Sequence, residues 1–472
     1  MKRVLELFEA LCAIPHGSGN MEGISAWCVD FAQKRGLEAA RDEARNVIIK
    51  KKATPGYENA PTVMLQGHLD MVCQKVEESP VDFEKDGIKT FVKGDYLKAE
   101  GTTLGADNGI AVAMVLAILE REDLSHPALE AVFTTDEEIG MLGALELDMS
   151  LLKAEKMINL DSEEDDVVTV SCAGGSDFVM SVPFERKEEK GTHLFVTFKG
   201  LQGGHSGVEI HKGRVNADLL AGRFLQHMKA SVPFSLLSVN GGDKSNAIPR
   251  YAKMEIVTSD PVAFLKEAAS YLETVKHELA AREPGFVSVL ETEGEGSFAV
   301  MEKSAADRVI AALCTAPNGV VNMSADIPGL VETSLNLGIL ETKEDAVSLH
   351  FALRSNFTSG LVALEEKLFA FASLLSCKAS TGGHYPPWEY RADSRLRDLY
   401  TRLYEEKTGK KAKVEAIHAG LECGVFAAGI PNLDCIAIGP TLFDVHTTEE
   451  KMSISSAEKI YGLLTALLKE CR

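Results

Sequence analysis

Five short polar clusters in the 472-residue chain carry the residue types that bind cations and move protons. They are Gly67-His68-Leu69-Asp70, Gly105-Ala106-Asp107-Asn108-Gly109, Asp136-Glu137-Glu138-Ile139-Gly140, Asn159-Leu160-Asp161-Ser162 and Asp444-Val445-His446-Thr447-Thr448. Two imidazoles, His68 and His446, and three carboxylates, Asp107, Glu138 and Asp161, make a donor set for two divalent ions that share a bridging carboxylate. Asp107, at the start of an apolar helix, is the candidate bridge. Two dications are nearly balanced by these three carboxylates and one hydroxide. Mixed imidazole and carboxylate ligation suits zinc, with cobalt or manganese as alternatives. Glu137 and Glu138 are adjacent, so their side chains diverge: one can bind metal while the other faces a substrate. At a strand end His68 and Asp70 fall on the same side, and Asp70 is suited to orient the imidazole. Taken singly, each cluster reads as readily as a polar loop, an acidic surface or a polar turn.

Four of the five clusters directly follow a short apolar run. Val63–Leu65, Ala131–Thr134, Met157–Leu160 and Cys435–Ile438 read as buried strands, and in open α/β sheets ligands bind beyond the carboxyl ends of such strands. Residues 109–119, almost all small or apolar, read as a helix buried on more than one side. A helix carrying Met21, Ile24, Trp27, Cys28 and Phe31 is expected to be capped by Ser18 or Asn20 and to stop at Gly36. The fold class expected is α/β: a catalytic domain with a mixed sheet flanked by helices, plus an inserted α+β domain. The charged run Glu185–Lys190 reads as an exposed connector, placing the boundaries at 1–186, 187–384 and 385–472, the last segment returning to supply His446. Within the insert, helices at 216–228, 304–314 and 361–375 and strands near 236–239, 332–340 and 346–353 suggest two halves of similar make-up, hence an internally doubled insert.

Composition narrows the partners. With 70 acidic against 49 basic residues the formal net charge is -21, which argues against nucleic acid or an anionic membrane surface. Nine scattered cysteines without a C-x-x-C pair fit reduced thiols in a cytoplasm. The first residues form an amphipathic pattern with no signal-peptide core, and the apolar run 112–119 is too short to span a bilayer.

The ordered string His68-x-Asp70, Gly105-Ala-Asp107-Asn-Gly109, Asp136-Glu137-Glu138-Ile-Gly140, Asn159-Leu-Asp161 and Asp444-x-His446-Thr resembles the co-catalytic dizinc metallopeptidases related to aminoacylase and carboxypeptidase G. Within them, Ile14-Pro15-His16-Gly17-Ser18, Gly204-His205-Ser206-Gly207, Ser245-Asn246-Ala247-Ile248-Pro249 and His418-Ala-Gly420-Leu-Glu422-Cys423-Gly424 resemble the Xaa-His dipeptidase branch, also called aminoacyl-histidine or cytosol non-specific dipeptidases. The resemblance implies one zinc on His68, Asp107 and Asp161 and another on Asp107, Glu138 and His446. It implies a cis-like Asp107–Asn108 backbone, Glu137 as general base, Asp70 as the partner of His68, and His205 as an oxyanion donor on a lid domain. It further implies Asn246 and Arg354 as binders of the substrate carboxylate, and Glu422 or Gly424 near the substrate amine. The substrates implied are small peptides with a free amino terminus, Xaa-His included. A doubled lid would let His205 act within one chain, so either a monomer or a homodimer is compatible. The alternatives are an N-acyl amino acid deacylase or desuccinylase using the same metals, and a non-catalytic peptide-binding relative.

Overall fold

Four short apolar runs form the parallel centre of an eight-stranded sheet. In the computed structural model, which describes residues 1–472, strands Leu129–Thr134, Val63–His68, Lys156–Asn159 and Asp434–Ala437 lie side by side in that order, each parallel to the next. The register pairs His68 with Thr134, Gln66 with Asn159, and Ala437 with Asn159, so the polar clusters that follow these strands emerge from one end of the sheet. Strands Val47–Lys51 and Glu38–Arg41 extend one side antiparallel; Val167–Cys172 and Lys413–Ile417 complete the other. The central strands are almost wholly buried, which is why they lack the alternation of a half-exposed strand.

Helix Ala106–Leu119 is buried along every residue but Asp107, so its apolar character all round reflects burial on all sides. It packs against the sheet and against helix Lys2–Cys12. The helix expected after Ser18 spans Glu22–Gln33, and no side chain caps it; Met21 occupies the cap position. The chain turns at Gly36, which takes φ +70°.

The chain divides into two compact units. The first comprises residues 1–172, 388–416 and 421–472; the second comprises 173–387 and 417–420. The charged run 185–190 is therefore inside the second unit and is not a connector. Arg186–Lys199 is one continuous strand whose charged half pairs with Val287–Met301 as a two-stranded ribbon, where both faces are open enough to carry charge. The preceding strand, Gly174–Pro183, also belongs to the second unit, paired with Ala346–Ser355 and Lys378–Tyr385.

The second unit is built on a nine-stranded antiparallel sheet. Its order runs Val287–Met301, Arg186–Lys199, Ala252–Thr258, Ser235–Gly241, then Val331–Thr342, Ala346–Ser355, Gly174–Pro183 and Lys378–Tyr385, with Gly319–Met323 attached to Val331–Thr342. Helices Ala217–Ser231 and Pro261–Leu279 accompany the first four strands in sequence, and helices Lys303–Thr315 and Thr358–Leu374 the last four. The strand order of one half mirrors that of the other about the pair Ser235–Gly241 and Val331–Thr342. Each unit has its own apolar core, around helix Ala106–Leu119 in the first and around Phe198, Phe224, Phe264 and Phe351 in the second.

Candidate metal centre

The five clusters converge at the carboxyl ends of the parallel strands, all within the first unit. His68 closes its strand, and its Nε2 lies 3.2 Å from Asp107 Oδ1 and 3.5 Å from Asp161 Oδ1. His446 Nε2 lies 3.1 Å from Asp107 Oδ2 and 2.9 Å from Glu138 Oε1. Asp107 thus presents one carboxylate oxygen to each histidine, the arrangement a bridging carboxylate requires. Donor atoms of His68, Asp107 and Glu138 all lie within 4.8 Å of one another.

Backbone geometry delivers these groups. The Asp107–Asn108 peptide is cis, as the resemblance implied. Asn108 accepts the His68 N–H at 3.2 Å and donates to the Leu160 carbonyl at 2.9 Å, tying the bridge to two of the strand ends. Gly67 is required here, because a side chain at that position would collide with the Asn108 carboxamide. Asp136, Asp444 and His446 all adopt positive φ, which non-glycine residues seldom do and which tends to cluster at functional sites.

Asp70 is a hub under the cluster. His68 Nδ1 lies 3.0 Å from the Asp70 carbonyl oxygen and 3.4 Å from its carboxylate, leaving Nε2 to face Asp107 and Asp161. The Asp70 carboxylate also accepts from Ser18 Oγ at 2.8 Å and from the backbone N–H groups of Glu137 and Glu138 at 3.0 and 3.2 Å. Burial opposes its ionisation, yet the bonds from His68, Glu137 and Ser18 hold it below the usual carboxylate range.

The field of the cluster calls for positive charge. Hydrogen bonds to Asp107 and Glu138 raise His446 to about 10. Burial raises Asp161, with Asp107 and Glu138 adding to it against the opposing His68. Burial also holds Glu137 well above the usual range; His68 opposes that shift, and the charges of Asp161, Glu422 and Glu138 reinforce it. Three carboxylates and two imidazoles crowded in this way fit a pair of divalent cations, with Glu137 beside them and outside the ligand set.

Glu422 and Gly424 are buried inside the first unit and do not line an open face. Glu422 Oε2 accepts from Gln66 Nε2 at 2.5 Å and Thr134 Oγ1 at 2.7 Å, while Oε1 has no partner. Gln66 in turn accepts from Asn159 Nδ2 at 2.6 Å, so this network underlies the strand ends. The Gly424 amide is committed to the Leu421 carbonyl.

The second unit gathers the other expected residues. His205 ends a two-residue strand paired with Ala247–Ile248, and Ser206 N–H donates to the Asn246 carbonyl at 2.9 Å. His205 Nδ1 accepts N–H groups from Gly207 and Val208, each at 3.2 Å, so the neutral ring carries its proton on Nε2. Burial and then the charge of Arg354 lower its pKa, keeping it neutral. Arg354 is 8% exposed, donates to Tyr385 Oη at 2.9 Å and keeps an Nε–H without a partner. Asn336 Nδ2 donates to the carbonyls of Ser245 and Ala247 at 3.1 and 2.8 Å, holding the loop that carries the exposed Asn246. His418 is buried, bonded to Ser334 at 2.7 Å, and pushed down to about 3 by burial and the charges of Arg354 and His205. Sequence reasoning missed Ser18, Asn336, Tyr385 and His418 as contributors. Ser18 and His418 lay within quoted motifs, but the partners that give them their roles, Asp70 and Ser334, are distant in sequence.

A mixed sheet with imidazoles and carboxylates clustered at the carboxyl ends of its parallel central strands, in a chain interrupted by an antiparallel insert, has the architecture of a metallohydrolase. The chain belongs to peptidase family M20/M25/M40, whose model matches residues 64–470. It is 40% identical to the cytosol non-specific dipeptidase of Escherichia coli (strain K12) over 469 residues, covering 98% of this chain and 96% of that one. The crystal structure of aminoacylhistidine dipeptidase from Vibrio alginolyticus superposes with a TM-score of 0.89 at 38% identity, covering 99% of this chain and 96% of that one. Aminopeptidase PepT from Bacillus cereus shares the fold, with a TM-score of 0.57 at 17% identity over 100% of this chain and 98% of that one. No helix is long and apolar enough to cross a membrane.

Proposed function

We propose that this protein is a cytosolic, metal-dependent dipeptidase that cleaves dipeptides bearing a free amino terminus, Xaa-His among them. The observation that carries the reading is the Asp107 carboxylate facing His68 with one oxygen and His446 with the other, with the half-buried Glu137 next to Glu138. The names of the Escherichia coli and Vibrio relatives support the substrate class and, for the former, the compartment.

Two divalent ions, zinc by preference, held by His68, Asp107 and Asp161 and by Asp107, Glu138 and His446, would polarise the peptide carbonyl and lower the pKa of water. Glu137 takes the proton of the attacking water and passes it to the leaving amine. Being a carboxylate outside the ligand set, it is free to hold that proton between the two transfers. Asp70 keeps His68 in one orientation and, by accepting two backbone N–H groups, fixes the peptide that carries Glu137 and Glu138.

The second unit serves as a lid, and its mirrored strand order fits a doubled one. His205, neutral with its proton on Nε2, donates toward the carbonyl oxygen as negative charge develops there. Arg354 and Asn246 hold the substrate's terminal carboxylate, for which the Arg354 fork is suited. With both Glu422 oxygens buried and one bonded to Gln66 and Thr134, Glu422 acts beneath the strand ends and not at the substrate amine.

The test is hydrolysis of a panel of dipeptides, N-acetylated dipeptides and tripeptides, by chelator-treated protein before and after zinc is restored. Zinc-dependent cleavage of free-amine dipeptides, Xaa-His included, is expected. Cleavage of the N-acyl members in their place would move the protein to the deacylases, and no cleavage with zinc, cobalt or manganese would leave a peptide-binding relative.

A further inference from the structure

The segment carrying Asp107 and the turn carrying His446 are distant in sequence, and one buried carboxylate joins them. Glu450 is 3% exposed. Its Oε2 accepts N–H groups from Leu104 at 2.8 Å and Gly105 at 3.2 Å, and its Oε1 accepts from Ala106 at 2.9 Å. Its own N–H donates to the Thr447 carbonyl at 3.2 Å, closing the turn that follows His446. The amides that Glu450 gathers lie at the entry to helix Ala106–Leu119, where N–H groups find no partner within the helix and a negative charge meets the positive end of its dipole. They converge on one carboxylate because Gly105 takes φ +68°, and the Met71 thioether beside it leaves no room for a side chain.

We propose that Glu450 is a positioning residue of the metal centre: it clamps residues 104–106 to the turn after His446, and so fixes the Asp107 bridge opposite His446. The inference rests on the reading of Asp107 and His446 as ligands, and it assigns to Glu450 a task that neither ligand performs. The clamp acts on the backbone one residue before Asp107 and four residues after His446. Its effect is therefore on where two donors sit, not on how many there are. A carboxylate is needed because all three donors are N–H groups. An amide in its place would turn an NH2 group toward either Ala106 or the Leu104–Gly105 pair, leaving that side without an acceptor.

An ordinary helix cap would stabilise the fold and leave the ions unaffected, and three measurements on the full-length protein separate the two roles. Zinc affinity is read by chelator competition, kcat and KM are measured on a dipeptide at saturating zinc, and urea unfolding is followed after zinc removal. For Glu450→Gln, zinc affinity is expected to fall on the order of 10-fold to 100-fold, the range for groups that orient metal ligands. The value of kcat should fall while KM stays near wild type, and Glu450→Asp, which keeps the charge on a shorter arm, should recover part of the loss. If the glutamine variant does not fold, Glu450→Asp against wild type carries the same comparison. A Glu450→Gln protein that unfolds more easily yet binds zinc and turns over like wild type would overturn the assignment and leave a cap. A wild-type chain that takes up no zinc would overturn the metal-centre reading itself, and this inference with it.

Discussion

Replacing Arg354 by alanine should separate substrates by their carboxyl terminus. The guanidinium is nearly buried, spends one N–H on Tyr385 and keeps an Nε–H unpaired, so its edge is prepared for an anion that the chain itself does not supply. Two charge-assisted hydrogen bonds to a carboxylate are worth about 1.5–3 kcal/mol each. Even at the lower end the pair amounts to about 3 kcal/mol, or on the order of 100-fold in kcat/KM. The assay is a cycle of wild type and Arg354→Ala against a dipeptide and its C-terminal carboxamide. Wild type should prefer the free acid by on the order of 100-fold, and the variant should lose that preference by slowing on the acid alone. Tyr385→Phe, which removes only the phenol partner, should change the preference by no more than about 1 kcal/mol, the worth of one neutral hydrogen bond. Equal losses on acid and amide would refute the reasoning, since they would show that Arg354 supports the unit and does not read the carboxylate.

Two further outcomes follow from single groups. Glu137→Ala should retain bound zinc, because Glu137 lies outside the ligand set, while kcat falls about 100-fold to 10,000-fold; metal analysis beside turnover checks both, and full activity would exclude it as the base. Asp218 is fully buried in the second unit with neither carboxylate oxygen hydrogen-bonded, and burial raises it well above its ordinary range, with Asp243 adding to the shift. The folded chain therefore holds a proton that the unfolded chain releases at pH values above about 4, and stability drains as pH rises from there toward the folded-state value. Asp218→Asn should remove that loss, so its urea-unfolding advantage over the wild type should be small near pH 4 and grow by roughly a kcal/mol per pH unit above it; a difference independent of pH would refute the account.

The metal cluster was legible because its physics is local. A strand buried on both faces must be a short apolar run, and its polar terminus marks the edge of the sheet, so the clusters carrying His68, Glu138 and Asp161 could be placed at strand ends from the apolar runs, while the part of each residue, His446 included, came from the family resemblance. The second unit was less legible for the opposite reason. The first half of Arg186–Lys199, and the stretch of Val287–Met301 paired with it, carry Glu, Lys and Gly because that ribbon is open on both faces, and residues 185–190 alone cannot be told from a charged linker. Nothing in the local sequence Gly420-Leu421-Glu422-Cys423-Gly424 announces that Glu422 is buried. In the fold it starts a helix whose first residues are buried beneath the strand ends.

Several residues whose part in the site the motifs did not announce act on backbone. Asn108 accepts from the amide of His68, Asn336 donates to carbonyls flanking Asn246, and Glu450 accepts from the three amides before Asp107; Asp70, expected as the partner of His68, also accepts from the amides of Glu137 and Glu138. A side chain that binds a cation announces itself by type, whereas one that fixes a backbone segment can be any polar residue whose partner is a group every residue has. The consequence is physical as well as practical. Carboxylates crowded as closely as Asp107, Glu138 and Asp161 repel one another, and flexible side chains alone would relax that repulsion by moving apart. Anchoring the peptide on which each one sits removes that escape, so the repulsion persists as affinity for a cation.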